Sequence, residues 1–140
     1  MPGIIVGIDG SRTSDMAVAE AAVLASELGE KLHVVFGYEP YRGAAEIQDH
    51  RVALEEMGTE VGNRAISQAR DVGAEVELKL IDRGPVDALI ALADELDARM
   101  IVVGSYGDSP LKGAILGSTP HKLVHLSKRP VLVVHGDEES

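Results

Sequence analysis

Three glycines and two hydroxyl residues in the second half of the chain form the pattern with the clearest chemical meaning. Gly104 is followed after two residues by Gly107, and nine further residues separate Gly107 from Gly117, Ser118 and Thr119. Glycine has no Cβ atom, so the main chain at these positions is able to approach an anion closely. Ser118 and Thr119 stand where a helix is expected to begin, and the first N–H groups of a helix have no partner within it. The pattern therefore predicts a phosphate-binding loop.

An acidic residue, Asp9, follows the first strand-like segment of the chain. If the first and fourth strands are neighbours, Asp9 and Gly104 face the same crevice at the carboxyl ends of the strands. An ionised carboxylate only accepts hydrogen bonds, which suits the hydroxyl groups of a ribose. This agreement favours a nucleotide pocket over the alternative, in which the glycines merely connect a strand to a helix capped by Ser118 or Thr119.

Five short apolar segments are positioned to carry these residues, and they alternate with longer segments of helical periodicity. The predicted strands are residues 4–8, 32–36, 76–81, 100–103 and 131–134. Strands that alternate with helices indicate right-handed crossovers and a mostly parallel sheet. The first, second and fourth strands are apolar throughout and are expected to be central, whereas the third alternates and is expected at an edge.

The helices between these strands show recognisable ends. The first is expected to stop at Gly29, and the third to begin with Pro85, since a first helical turn tolerates proline. The second, at about residues 44–72, contains Gly58 and Gly62. Each glycine weakens a helix by about 1 kcal/mol, so this helix is expected to be broken or mobile near its start. The last helix is expected to begin near Thr119.

The composition is that of an ordinary globular domain. The 140 residues are 45% hydrophobic and 26% charged, which fits one domain over residues 1–140. There is no cysteine, which excludes disulfides and thiolate catalysis and is compatible with the cytoplasm, where we expect the protein to be located. No segment approaches the roughly 20 apolar residues of a membrane helix, and no secretory signal is recognisable.

The net charge of −10 argues against nucleic acid as a partner, because a phosphate backbone requires a basic surface. Any nucleotide site must therefore rely on main-chain N–H groups and a helix dipole. His121 and His125 are four residues apart, but no acidic residue near them completes a metal motif, so no metal site is predicted. Lys112, inside the glycine loop, stays open as a phosphate contact. The P-loop and dinucleotide motifs are absent from the sequence.

The chain resembles the universal stress proteins from end to end, and in particular their nucleotide-binding branch. That branch is marked by the spacing found at Gly104, Gly107, Gly117 and Ser118. The resemblance implies an α/β fold, a single doubly wound domain with a five-stranded parallel sheet in the order 3-2-1-4-5 and helices on both faces. It also implies that Gly104 and Gly107 line the ribose and α-phosphate, and that Gly117, Ser118 and Thr119 hold the outer phosphates.

At the other end of the nucleotide, the resemblance implies that Ile8 and Asp9 contact the adenosine and that the main chain near Gly37 meets the adenine. The sequence departs from the family pattern in two places. Gly37 and Tyr38 replace the usual β-branched residues after the second strand. Pro120 stands where family members usually keep a residue with an N–H group, so one phosphate donor is missing.

The function that follows is that of an ATP-binding stress-response protein, a nucleotide-dependent regulator rather than a fast enzyme. ADP, AMP and cyclic AMP stay open as ligands, with any Mg²⁺ held through the phosphates. No catalytic residue is nominated, and hydrolysis of ATP is expected to be slow at most. The alternatives are a nucleotide-free dimeric interaction protein and a slow ATP hydrolase or autophosphorylating protein. A homodimer is expected through the last strand, Val131–Val134, since an exposed apolar edge is usually covered.

Overall fold

Strands and helices alternate along residues 2–39, 47–105 and 118–136, which are the residues that the computed structural model describes. The elements in these ranges are β1 (Ile4–Gly7), α1 (Arg12–Leu28), β2 (Leu32–Gly37), α2 (Ile47–Asp71), β3 (Val76–Ile81), α3 (Pro85–Leu96), β4 (Met100–Gly104), α4 (Ser118–Leu126) and β5 (Val131–Val134). The predicted positions of all five strands are confirmed to within one residue. No helix in the described ranges has the length and apolar character needed to cross a membrane.

The five strands form one parallel sheet in the order β3-β2-β1-β4-β5. The predicted order is therefore confirmed, with β1, β2 and β4 inside the sheet and β3 and β5 at its edges. Ile4 of β1 pairs with Leu32 on one side and with Met100 on the other. The apolar character of the central strands follows from this arrangement, because both of their faces are covered by helices.

The helices lie on both faces of the sheet, as predicted. Ile4 and Val6 belong to the core beneath α1 and α2, whereas the intervening Ile5 belongs to the core beneath α3 and α4. This division follows from the alternation of side chains along a strand. Both cores consist almost wholly of aliphatic residues and alanine, and Phe36 and Tyr38 are the aromatic residues in the first of them.

Helix α1 has a well-defined start and end. The side chain of Ser11 accepts a hydrogen bond from the N–H of Ser14, which caps the first turn. The predicted stop at Gly29 is confirmed, since Gly29 has the left-handed conformation with φ of 67°. Leu28, in the last turn, is 45% exposed, because the end of α1 extends beyond the part of the helix that packs on the core through buried alanines such as Ala21.

Helix α2 differs from the sequence-based expectation. It runs without interruption from residue 47 to residue 71, so the predicted break is wrong over this range. A Cβ atom on Gly58 would lie 2.5 Å from Cδ2 of Phe36, and one on Gly62 would lie 2.5 Å from Cδ2 of Leu78. The two glycines therefore allow the helix to lie close against β2 and β3, and this packing outweighs their low helix propensity.

An ion pair with one buried partner joins the amino ends of β2 and β4. Glu30, just before β2, has a side chain that is 2% exposed and is held by the guanidinium of Arg99, just before β4. The N–H of Arg99 also donates to the carbonyl of Gly3. The hydrogen bonds from Arg99 hold the pKa of Glu30 below its ordinary value, against the opposing effect of burial. This contact stabilises the edge of the sheet opposite the cavity described next.

Candidate functional site

A cavity of about 270 Å³ opens at the carboxyl ends of β1, β2 and β4. This is the edge at which doubly wound sheets bind their ligands, beside the point where the strand order reverses. Here the reversal lies between β1 and β4, because β2 and β3 lie on one side of β1 and β4 and β5 on the other. The described residues that line the cavity are Gly7, Ile8, Asp9, Ser11, Thr13, Ser14, Val35, Gly37, Pro85, Leu89, Val103, Gly104, Ser118, Thr119 and Pro120.

The turn between β1 and α1 holds Asp9 in a defined position. Oδ1 of Asp9 accepts a hydrogen bond of 2.9 Å from the N–H of Ser11, and the N–H of Asp9 donates to Oγ of Ser14 at 3.1 Å. Gly10 makes the turn possible, since its φ of 86° is strained for other residues. The carboxylate therefore lies beside the first turn of α1.

Helix α2 supports this turn from outside the cavity. Nη2 of Arg64 donates to Oδ1 of Asp15 at 3.0 Å and approaches the carbonyl of Gly10 at 3.4 Å. Nε2 of Gln68 donates to the carbonyl of Asp15 at 3.0 Å. The position of Asp9 therefore depends on α2 as well as on its own turn.

The floor of the cavity is apolar. It is formed by Val35, Leu89 and Val103 from β2, α3 and β4, with Gly37 and Pro85 at one side. A Cβ atom on Gly37 would lie 2.9 Å from Cα of Pro85. Glycine is therefore required at position 37 because the main chain of β2 touches the start of α3. The floor is suited to a flat, largely apolar ring.

A second polar network lies beyond Gly37. The hydroxyl of Tyr38 donates to Oε2 of Glu55, and Arg51 forms an ion pair with Asp82. The hydrogen bond to Glu55, together with burial, raises the pKa of Tyr38. This network joins the first half of α2 to the ends of β2 and β3, so it fixes the main chain that lines this side of the cavity.

The opposite side of the cavity is built by the end of β4 and the start of α4. Gly104 lies against α1, since a Cβ atom at this position would be 2.5 Å from Oγ1 of Thr13. Ser118, Thr119 and Pro120 form the first turn of α4, and all three line the cavity. The start of a helix offers N–H groups without internal partners and the positive end of the helix dipole. The arrangement favours an anion at this side of the cavity.

The structure brings most of the predicted site residues together. Six of them line this one cavity: Ile8, Asp9, Gly37, Gly104, Ser118 and Thr119. Gly107 and Gly117, like Lys112, lie outside the described residues. Ser11 and Ser14 also line the cavity and were not predicted as site residues, although two serines three residues apart at the start of a predicted helix are a recognisable capping signal. The apolar floor was not predicted either, because no local sequence pattern marks it.

The two histidines of α4 lie next to each other on its surface. The rings of His121 and His125 have centroids 4.9 Å apart, and both side chains are exposed. Within the described ranges, no group of three or more histidine, aspartate or glutamate side chains is close enough to hold a metal ion.

Comparison with known proteins gives one consistent result. The sequence model of the universal stress protein family matches residues 2–135. The universal stress protein Rv1636 of Mycobacterium tuberculosis is 37% identical over 139 residues, which cover 94% of each chain. The universal stress protein YxiE of Bacillus subtilis is 31% identical over 143 residues, covering 94% of this chain and 97% of YxiE.

Solved structures of universal stress proteins are also similar to this chain. A universal stress protein in complex with cAMP has a TM-score of 0.78 and 34% sequence identity, covering 97% of this chain and 98% of the other. The universal stress protein of Archaeoglobus fulgidus in complex with dAMP has a TM-score of 0.71 and 27% identity, covering 96% of this chain and 98% of the other.

Proposed function

Because this chain belongs to the universal stress protein family, we propose that it binds an adenine nucleotide reversibly in the cavity at the carboxyl ends of its strands. In this proposal it is a stress-response protein whose nucleotide occupancy regulates its partners or its assembly. ATP, ADP, AMP and cyclic AMP are the candidate ligands, and any Mg²⁺ is held through the phosphates. The cytoplasmic location expected from the cysteine-free sequence is part of the same proposal.

The observation that carries the proposal is that three chemically different surfaces line one cavity. Asp9 supplies an acceptor for ribose hydroxyls, the floor around Val35 and Leu89 offers an apolar surface to a base, and the first turn of α4 offers donors to phosphate. Each surface matches one part of a nucleotide. The relatives described as complexes with cAMP and with dAMP support adenine nucleotides as the class of ligand.

Binding rather than rapid catalysis is proposed. Among the described residues that line the cavity, Asp9 is the one with an ionisable side chain, and its Oδ1 accepts a hydrogen bond from Ser11. Fast phosphoryl transfer relies on positioned cations and on a group that orients the nucleophile. The cavity lining is therefore better suited to hold a nucleotide than to cleave one.

We also propose that the protein forms a homodimer through β5. This strand is at the edge of the sheet and pairs with β4 on one side. Leu132 of β5 is 36% exposed, and Val124 and Leu126 of the adjacent helix α4 are 47% and 60% exposed. An apolar edge strand with exposed apolar neighbours is the kind of surface that a second copy covers.

The experiment that tests nucleotide binding is thermal unfolding of the purified protein with ATP, ADP, AMP, cyclic AMP and GTP in turn. A ligand at 100 times its dissociation constant adds about 2.7 kcal/mol to the free energy of unfolding. We expect a clear rise in Tm with at least one adenine nucleotide. No shift with any of them at millimolar concentration would contradict the proposal.

A matched pair of variants locates the binding. Thr119→Glu puts a negative charge into the cavity and is expected to remove the nucleotide-dependent shift. His125→Glu adds a negative charge to the exposed side of the same helix, outside the cavity lining, and is expected to leave the shift unchanged. Equal shifts in the two variants would mean that the nucleotide binds elsewhere.

A further inference from the structure

The two histidines of α4 have the spacing and the geometry of a chelating pair. His121 and His125 both lie within the helix, which runs from Ser118 to Leu126. Residues four positions apart in a helix are neighbours on its surface. Their rings have centroids 4.9 Å apart and meet edge-on, with an angle of 70° between the ring planes. The two imidazoles therefore lie on one side of the helix, within reach of a common ligand.

The distance between the rings matches the one that a shared metal ion imposes. Zn²⁺ binds an imidazole nitrogen at about 2.0–2.1 Å, so two imidazoles in one tetrahedral site have ring centres about 5 Å apart. Helix α4 thus holds the two rings at the separation that chelation requires. The sequence spacing of His121 and His125 did not by itself predict a metal site, and this distance is the observation that the structure adds.

Both rings are accessible to a metal ion from solvent. Their side chains are exposed, and neither ring has a hydrogen bond or an ion pair with another residue in the described part of the chain. Imidazole is a ligand that Zn²⁺, Cu²⁺ and Ni²⁺ accept readily, whereas Mg²⁺ prefers oxygen ligands. The net charge of −10 attracts cations to the protein in general. The chemistry of the pair therefore favours a transition metal over Mg²⁺.

On these grounds we propose that His121 and His125 together bind one divalent transition metal ion of the class that includes Zn²⁺ and Cu²⁺. The pair supplies two ligands, and water fills the remaining coordination positions, as it fills the open position of other exposed zinc sites. Chelation joins two successive turns of α4. Because Ser118 and Thr119 in the first turn line the cavity, the ion stabilises the helix that forms one side of it. His121 and His125 do not line the cavity themselves, so the metal site is independent of nucleotide binding.

The test is isothermal titration calorimetry of the protein, purified without a histidine tag, with Zn²⁺ alone. We expect Zn²⁺ to bind at a single site per chain. His121→Gln and His125→Gln should each weaken this binding by at least about tenfold, because the second imidazole of a pair binds as an intramolecular ligand. His135→Gln, at an exposed histidine outside α4, is the control and should keep the original affinity. No binding of Zn²⁺, or equal affinity in all four proteins, would overturn the proposal.

A further variant separates the spacing of the histidines from their number. His125→Gln combined with Lys122→His keeps as many histidines in α4 as the unmodified protein has. Adjacent residues in a helix do not face each other, so this double variant should bind Zn²⁺ as weakly as His125→Gln alone. Recovery of the original affinity would show that the number of histidines, and not chelation by the pair, determines binding.

NMR spectra of the histidine side chains locate the ion in the unmodified protein, so this measurement does not depend on the folding of any variant. Zn²⁺ should shift the ring signals of His121 and His125 together, at the same metal concentration. The signals of His33, which is buried, and of His135 should shift less. If the signals of His50 or His135 shift first, the ion binds elsewhere and the proposed site is wrong.

Discussion

Oγ1 of Thr13 lies 2.5 Å from the point that a Cβ atom on Gly104 would occupy. The end of β4 is therefore in direct contact with the first turn of α1. Because Ser11 and Ser14 cap the same turn and position Asp9, this contact links the anion side of the cavity to its carboxylate. The glycine is needed here for packing within the protein as well as for access by a ligand.

Replacing Gly104 with alanine should therefore affect both stability and binding. The new methyl group would also lie 2.7 Å from the main-chain carbon of Thr13, so the backbone has to shift. We expect the free energy of unfolding to fall by about 1–3 kcal/mol, as for other overpacked sites, and nucleotide affinity to fall with it. Urea denaturation and calorimetry measure the two effects.

Gly84→Ala is the matched control for this substitution. A Cβ atom on Gly84 would lie 3.3 Å from Oε1 of Glu39, which is the end of a flexible side chain. We expect a smaller loss of stability and normal binding. Equal effects of the two substitutions would contradict the role given to the contact with Thr13.

Arg64 is predicted to position the turn that carries Asp9. Arg64 and Asp15 are about half exposed, so the ion pair itself adds only about 0–1 kcal/mol to stability. Arg64→Met should therefore change Tm little, while weakening nucleotide binding severalfold because the turn loses the two hydrogen bonds from Arg64. Arg70→Met, at an exposed position of the same helix, is expected to change neither. A loss of binding that is the same in both variants would point to overall charge instead.

His33 makes the stability of the protein sensitive to mild acid. Its ring is buried, Nδ1 has no hydrogen-bond partner within the described part of the chain, and Oε1 of Glu77 is 3.9 Å away. Burial lowers the pKa of His33 below 6.5, although the charge of Glu77 opposes this effect. Below about pH 6.5 the unfolded chain binds the proton more readily than the folded chain does, so stability is lost as the pH falls through 6.5 towards the folded pKa.

Urea denaturation at pH 7 and at pH 5 measures this effect. The unmodified protein is expected to lose more stability over this interval than His33→Gln, which lacks the titrating ring. The pKa values of Glu30 and Glu77 are lowered from 4.5, so their contributions are lost only at lower pH. The exposed His121 provides the control, and His121→Gln should behave like the unmodified protein. The same pH dependence in all three proteins would rule out His33 as the cause.

The proposed dimer predicts that Leu132→Lys produces a monomer. The substitution places a charge on the exposed side of the edge strand β5, where a second copy would have to cover it. Val52→Lys, at a position on α2 that is 52% exposed, changes charge and hydrophobicity equally at a distant element and should leave the dimer intact. Sedimentation velocity distinguishes the two states. If Leu132→Lys sediments like the unmodified protein, the interface is not at β5.

Several features of the fold were predictable because local sequence dictates them. Apolar runs covered on both faces mark β1, β2 and β4 as central strands, and Gly29 marks the end of α1 because a left-handed residue terminates a helix. Asp9 and Gly104 line one cavity, as the sequence predicted, since the carboxyl ends of parallel strands meet at one edge of the sheet.

Other features depend on contacts between residues distant in sequence. Gly58 and Gly62 predict a weak helix by propensity. Helix α2 is nevertheless continuous, because side chains of the sheet occupy the space in which larger side chains at these two positions would lie. In the same way, Gly37 is required by Pro85, nearly fifty positions along the chain. The sequence by itself therefore determined the order of the helices and strands along the chain and the kinds of residue at the candidate site. The tertiary structure decided how closely the helices and strands approach one another. The physical reason is that hydrophobic periodicity and capping are local properties, while close packing depends on surfaces that meet only after the chain has folded.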